Sequence, residues 1–73
     1  MSNYQATRTE NEDNVLLLFA KNLKVCRQAK GLSQEGLALT AGFSRSYYTE
    51  IETGKRNPSL LNLVKIMKVL KKD

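Results

Sequence analysis

Three serines, Ser33, Ser44 and Ser59, each stand just before a stretch in which apolar residues recur at helical spacing. After Ser33 come Leu37, Ala38 and Ala41, the spacing of one helix face. A serine there is a good N-cap, because its hydroxyl accepts from an otherwise unpaired backbone N–H. Gly42 falls where the chain must turn, and glycine reaches the left-handed region at little steric cost. Ser44 caps a second short helix, with Tyr48 and Ile51 facing inward and Arg45, Ser46, Tyr47, Thr49 and Glu50 facing outward.

Flanking this pair are two longer periodic stretches. The first predicts a helix from about Asn14 to Lys30, capped by Asp13 or Asn14 and stopped by Gly31. Leu16, Phe19, Leu23 and Cys26 form its inner stripe. Leu17, Leu18 and Val25 lie off that stripe as candidate partner contacts. The second follows Pro58 and Ser59 and runs through about Leu70, with Leu60, Leu63, Val64, Met67 and Leu70 on one face and Ile66 beside it. Leu61 and Val69 fall outside that face. Together with Leu17 and Leu18 they are the candidate dimer contacts. Residues 1–13 are polar and aperiodic and are expected to be a mobile tail, leaving residues 14–73 as the one folded domain.

Seventy-three residues bury only a small core, so a single domain is expected. Net charge is +5, and its distribution is uneven. Residues 1–13 carry a net of −2, whereas residues 14–73 carry eleven Lys/Arg against four Asp/Glu. That balance suits a polyanionic partner, although a solvated basic surface would look the same. Histidine is absent, which removes the commonest general base and neutral metal ligand. Cys26 is the one cysteine, read as a small buried hydrophobe, with a reactive thiol as the alternative. The apolar run Val15–Ala20 is too short to span a bilayer and follows acidic residues, so a cytoplasmic location with no membrane partner is expected.

A short helix with a donor-rich outer face suits the major groove of double-stranded DNA. Arg45 and Ser46, the first residues after the cap, reach furthest. Arg45 can grip a guanine through two hydrogen bonds, while a serine specifies weakly. Glu50 lies a turn later, where its carboxylate accepts from a cytosine amine or is merely a solvated charge; Thr49 shares that edge. Tyr47 and Gln34 are better placed for phosphates, Gln34 at a helix N-terminus where the dipole favours an anion. Lys55, Arg56 and Asn57, three polar donors in the loop Thr53–Asn57, are the other candidate phosphate contacts.

The run GLSQEGLALTAGFSRSYYTEIETGKRNPSL resembles the helix-turn-helix of the Cro/repressor class, the Xre type. The resemblance covers about residues 16–70. It rests on Gly-Leu-Ser-Gln-Glu, the turn glycine, Ile-Glu-x-Gly, and Asn-Pro-Ser-Leu at family spacing. It implies an all-α fold: a compact four- or five-helix bundle containing a helix-turn-helix, lambda-repressor-like. It also implies that Arg27 and Glu52 form an ion pair inside the domain and that the 53–57 loop follows the DNA backbone. Two positions depart from the family pattern. Gly36 replaces a better helix former, and Tyr48 replaces an aliphatic residue, so its hydroxyl needs a partner.

Within the family, the Arg45-Ser46-Tyr47 start of the second helix is most similar to small controller proteins of restriction–modification systems. The implied function is a sequence-specific transcriptional regulator that binds a palindromic operator as a homodimer, with RNA polymerase as a further partner and no cofactor. Phage-repressor or antitoxin-type regulators fit the same motif. A basic helical module for a protein or membrane surface is the alternative from a different class, resting on Lys65, Lys68, Lys71 and Lys72. An enzyme is not expected, for want of histidine, a phosphate-cradling glycine loop or a metal-ligand cluster.

Overall fold

The computed structural model describes residues 8–72, and among them four helices and no strand: α1 Glu10–Ala29, α2 Gln34–Ala41, α3 Arg45–Glu52 and α4 Leu60–Lys71. The Ser33, Ser44 and Ser59 caps stand as expected, each hydroxyl accepting a backbone N–H of its helix's first turn, at 2.9–3.1 Å. Gly42 adopts φ 85° and lets Phe43 N–H close back onto the Ala38 carbonyl at 2.8 Å. That left-handed step fixes how α3 leaves α2.

Helix α1 starts earlier than its apolar pattern predicts. Thr9 is its N-cap, and the Glu12 side chain returns the bond to the Thr9 N–H. This capping box satisfies two end groups at once, and Glu10, Glu12 and Asp13 lie where the helix dipole favours negative charge. Residues 10–13, expected in the tail, are therefore helical. Residues 1–7 of that expected tail lie outside the described residues.

The expected inner stripe of α1 holds at Leu16, Phe19 and Leu23 and departs at its last position, whereas that of α4 is rotated. On α1 the buried residues are Ala20, Leu23 and Arg27, with Leu16 and Phe19 half-buried. Cys26, expected inside, is exposed. Burying Arg27 next to its partner turns the helix so that the neighbouring cysteine moves to the rim. On α4, Ile66 and Val69 are buried, whereas Leu60, Leu61, Val64 and Met67 are exposed. Val69, expected among the dimer candidates, is thus packed into the core of its own chain. The sequence LLNLVKIMKVLK is apolar over much of the helix circumference, so its period does not select the buried face.

The core joins all four helices through Leu23, Leu37, Ala38, Tyr48, Ile51, Ile66 and Val69. Leu37, Tyr48, Ile51 and Ile66 are fully enclosed, and burial of each such side chain stabilises the fold by about 1.5–3 kcal/mol. Gly54, at φ 79°, lies against Leu17 so closely that an added Cβ would come within 2.9 Å of the leucine methyl. Leu17 therefore has a contact inside the chain and is only partly available to a partner. Leu18 remains exposed on α1.

Candidate nucleic-acid interface

Positions 45, 46, 49 and 50 of α3 fall on one side of the helix because they are spaced by one turn. Arg45, Ser46, Thr49 and Glu50, with Gln34 from the start of α2, line an open depression of about 410 Å³. The structure thus brings together all four residues assigned to base contacts. Arg45 and Ser46 are exposed at the N-terminal end, while Thr49 and Glu50 are half-buried deeper along the face.

Behind this face the loop after α3 folds back on the helix. The Lys55 and Arg56 N–H groups both donate to the Glu50 carbonyl, at 2.9 and 3.2 Å. Arg56 Nε and Nη2 donate to Glu50 Oε1 at 3.0 and 2.7 Å. The same guanidinium lies over the Tyr47 ring, 5.5 Å from its centroid. Tyr47 packs edge-on against Phe43, with centroids 5.1 Å apart, and its hydroxyl accepts from Asn62 Nδ2 at 2.8 Å. Lys55 and Asn57 are exposed beside this cluster.

Beneath the face lies a buried polar knot. Arg27 donates through Nε and Nη2 to the two oxygens of Glu52, at 2.8 and 2.9 Å, and through Nη1 to the Leu32 carbonyl at 2.7 Å. Gln34 Nε2 donates to Glu52 Oε1 at 2.9 Å, and the Tyr48 hydroxyl donates to Oε2. Burial by itself would push the Glu52 carboxyl up, but the bonds from Arg27, then Tyr48 and Gln34, outweigh it and hold the group below the usual carboxylate range. The Tyr48 phenol is pushed well above its ordinary value, first by burial and then by its bond to Glu52. The bond to Glu52 raises Arg27 further, against the opposing effect of burial. The expected Arg27–Glu52 pair is present, and Gln34 joins it through the amide that had been assigned to a phosphate.

Residues 23–73 match the profile of the helix-turn-helix family. The chain is 46% identical over 55 residues to the control protein C.MunI of Mycoplasma sp, covering 74% of each protein. It is 42% identical over 59 residues to the control protein C.BamHI of Bacillus amyloliquefaciens, covering 80% of this chain and 73% of that one. Among solved structures, the restriction–modification controller protein C.AhdI of Aeromonas hydrophila superimposes with a TM-score of 0.78 at 43% identity. That match covers 82% of this chain and 91% of C.AhdI. The chain belongs to the Xre-type helix-turn-helix family.

The matched region contains α2, Gly42 and α3, two short helices joined by a turn, and the protein is a DNA-binding transcriptional regulator. The four-helix architecture is that of the C.AhdI controller. Among the described residues no helix is long and apolar enough to cross a membrane. Sequence reasoning missed two participants in the site and one pairing. Asn62 is the polar residue interrupting Leu60-Leu61 and Leu63-Val64, and that interruption was the available signal for a side-chain partner. The carbonyl of Leu32 and the Glu50–Arg56 pair join chain segments by routes that no local pattern records.

Proposed function

We propose that this regulator is the controller of a restriction–modification system and binds a palindromic operator as a homodimer in the bacterial cytoplasm. The observation that carries the reading is the outer face of α3, where Arg45, Ser46, Thr49 and Glu50 converge on one depression. Its support in sequence is the similarity to three proteins that are themselves named as controllers. The N-terminal end of α3 enters the major groove, and Arg45 pairs with the O6 and N7 of a guanine, worth about 1–3 kcal/mol of discrimination. Ser46, Thr49 and Glu50 complete the base contacts.

Lys55, Arg56, Asn57 and the hydroxyl of Tyr47 take phosphates on either side of the groove. Tyr47 keeps its own proton to donate, since its oxygen accepts from Asn62. Gln34 has one amide N–H left for a phosphate after its bond to Glu52.

A domain of this size reads few base pairs, and pairing two copies doubles the site. The dimer forms through the outward apolar row of α4, where Leu60 and Leu61 are 75% and 74% exposed and Val64 and Met67 continue the surface. RNA polymerase is the partner through which the bound dimer acts on transcription.

Selection of binding sites from randomised duplex DNA at two salt concentrations tests the reading. An enriched palindrome with half-sites about one helical turn apart is the expected result. Binding without enrichment, lost at moderate salt, would instead make the chain a non-specific basic module.

A further inference from the structure

The two bonds from Arg56 to Glu50 converge on one carboxylate oxygen. Nε and Nη2 both reach Oε1, while Oε2 has no hydrogen-bond partner among the described residues. The guanidinium is itself held in place. It lies over the Tyr47 ring, that ring is packed against Phe43, and the Tyr47 hydroxyl is tied to Asn62 on α4. The backbone N–H groups of Lys55 and Arg56 both donate to the Glu50 carbonyl, which ties the loop to the end of the helix. Glu50 also lines the depression with Arg45, Ser46 and Thr49.

From this we infer that Arg56 is a positioning residue for base reading: it fixes the Glu50 carboxylate so that its second oxygen accepts from the exocyclic amine of a cytosine or an adenine in the major groove. The reasoning is electrostatic and entropic together. A bare carboxylate in the groove faces a polyanion, and its repulsion is independent of sequence. Paired with Arg56 it is neutralised on one side, and only the free oxygen meets the DNA. An unrestrained glutamate has several rotamers and loses that freedom on binding. Here the fork of Arg56 has already selected one. Three of the five guanidinium N–H groups remain unused by Glu50, so the same side chain still serves a phosphate and links backbone position to base reading.

This inference rests on the DNA-reading assignment of α3, and the test separates the two. The discrimination ratio is the affinity for the selected operator divided by that for operators with one base pair replaced. It is measured at every position for the wild type, Glu50→Ala, Arg56→Ala, Arg56→Lys and the Glu50→Ala/Arg56→Ala double variant, together with the salt slope of binding. We expect Glu50→Ala, which removes the acceptor altogether, to lower the ratio at one base pair by about 5- to 150-fold, the range of one good base contact. Arg56→Ala should lower the ratio at that same base pair, and the double variant should lose no more of the ratio than Glu50→Ala alone. Arg56→Lys should return the salt slope without the ratio, because an ammonium supplies charge but no fork. An Arg56→Ala protein that weakens every sequence equally would overturn the inference and make Arg56 a phosphate contact only. Additive losses of the ratio at that base pair in the double variant would also overturn it. A wild type with no preference at any position would instead defeat the DNA-reading assignment itself.

Discussion

Tyr48 and Glu52 lie one turn apart on the inner side of α3, and the hydroxyl of the first donates to the carboxylate of the second. A phenol in a core otherwise suited to an aliphatic side chain is thereby satisfied, and Glu52 gains a donor beyond Arg27 and Gln34. Removing that donor should be felt as the loss of a bond to a charged group. Tyr48→Phe is expected to lower urea stability by about 1.5–3 kcal/mol. Glu52→Ala strands the Arg27 guanidinium and is expected to cost about 3–5 kcal/mol, with DNA affinity falling only as the folded fraction falls. An unchanged urea midpoint for Glu52→Ala would refute the role given to the buried knot.

The same knot should tie the stability of the fold to pH on both sides. Glu52 is held below its ordinary value of 4.5 in the folded state, so its contribution is fully present above that value and is lost as pH falls through the lower, folded value. Tyr48 is raised above its ordinary value of 10.0, so its contribution is complete below pH 10 and lost as pH rises beyond it. Thermal melts across pH should show a plateau with one shoulder on each side. Glu52→Gln should flatten the acid shoulder and Tyr48→Phe the alkaline one, each from a lower plateau.

Gly54 and Gly42 both have positive φ, but only Gly54 is crowded, by Leu17 of α1. Gly42→Ala should carry the left-handed backbone cost of about 1–2 kcal/mol. Gly54→Ala should carry that cost and a further overpacking cost of about 1–3 kcal/mol. Equal urea midpoints for the two variants would show that the approach of α1 to the loop is soft.

The rotation of α4 separates two kinds of apolar residue on one helix. Val64→Lys and Met67→Lys, on the exposed row, should leave the helical signal intact and yield a monomer in sedimentation. Val69→Ala, inside the core, should destabilise the chain by about 1–3 kcal/mol and leave the association of the folded protein unchanged. A dimer that persists in both lysine variants would place the interface elsewhere.

Most of the framework was legible because it is written in local chemistry. The serine caps and Gly42 each act within four residues, and the pattern around them fixed α2 and α3. The Arg27–Glu52 pair was legible only through family resemblance, since 25 residues separate the partners. Thr9 and Glu12 also form a local signal, a capping box, but it was overshadowed by Asp13 and Asn14 next to the apolar run. On α1, Leu16, Phe19 and Leu23 face inward as expected and only the last position of the stripe differs; the facing of α4 was not legible, because that helix carries apolar residues on more than one side and only tertiary packing chooses among them. Packing put Cys26 outside and Val69 inside. At the site, the sequence placed Arg45, Ser46, Thr49 and Glu50 on one face correctly. It did not tell that Gln34 turns towards Glu52 or that Arg56 turns towards Glu50, because both choices depend on which charge lies nearest in space.

Phosphate and base contacts should differ in how they respond to salt. Lys55→Ala is expected to weaken binding to all sequences alike and to reduce the slope of log affinity against log salt by about one. A reduced preference at a single base pair with an unchanged slope would move Lys55 into the groove.

The most direct measurement is the affinity of the wild type and of Arg45→Ala for the selected operator and for each of its single-base-pair variants at fixed salt. If α3 reads DNA from its N-terminal end, the wild type should prefer a guanine at one position of each half-site by about 1–3 kcal/mol. Arg45→Ala should lose that preference there and keep it elsewhere. An Arg45→Ala protein with the full preference of the wild type at every position would contradict the reading of α3 as the helix that specifies sequence.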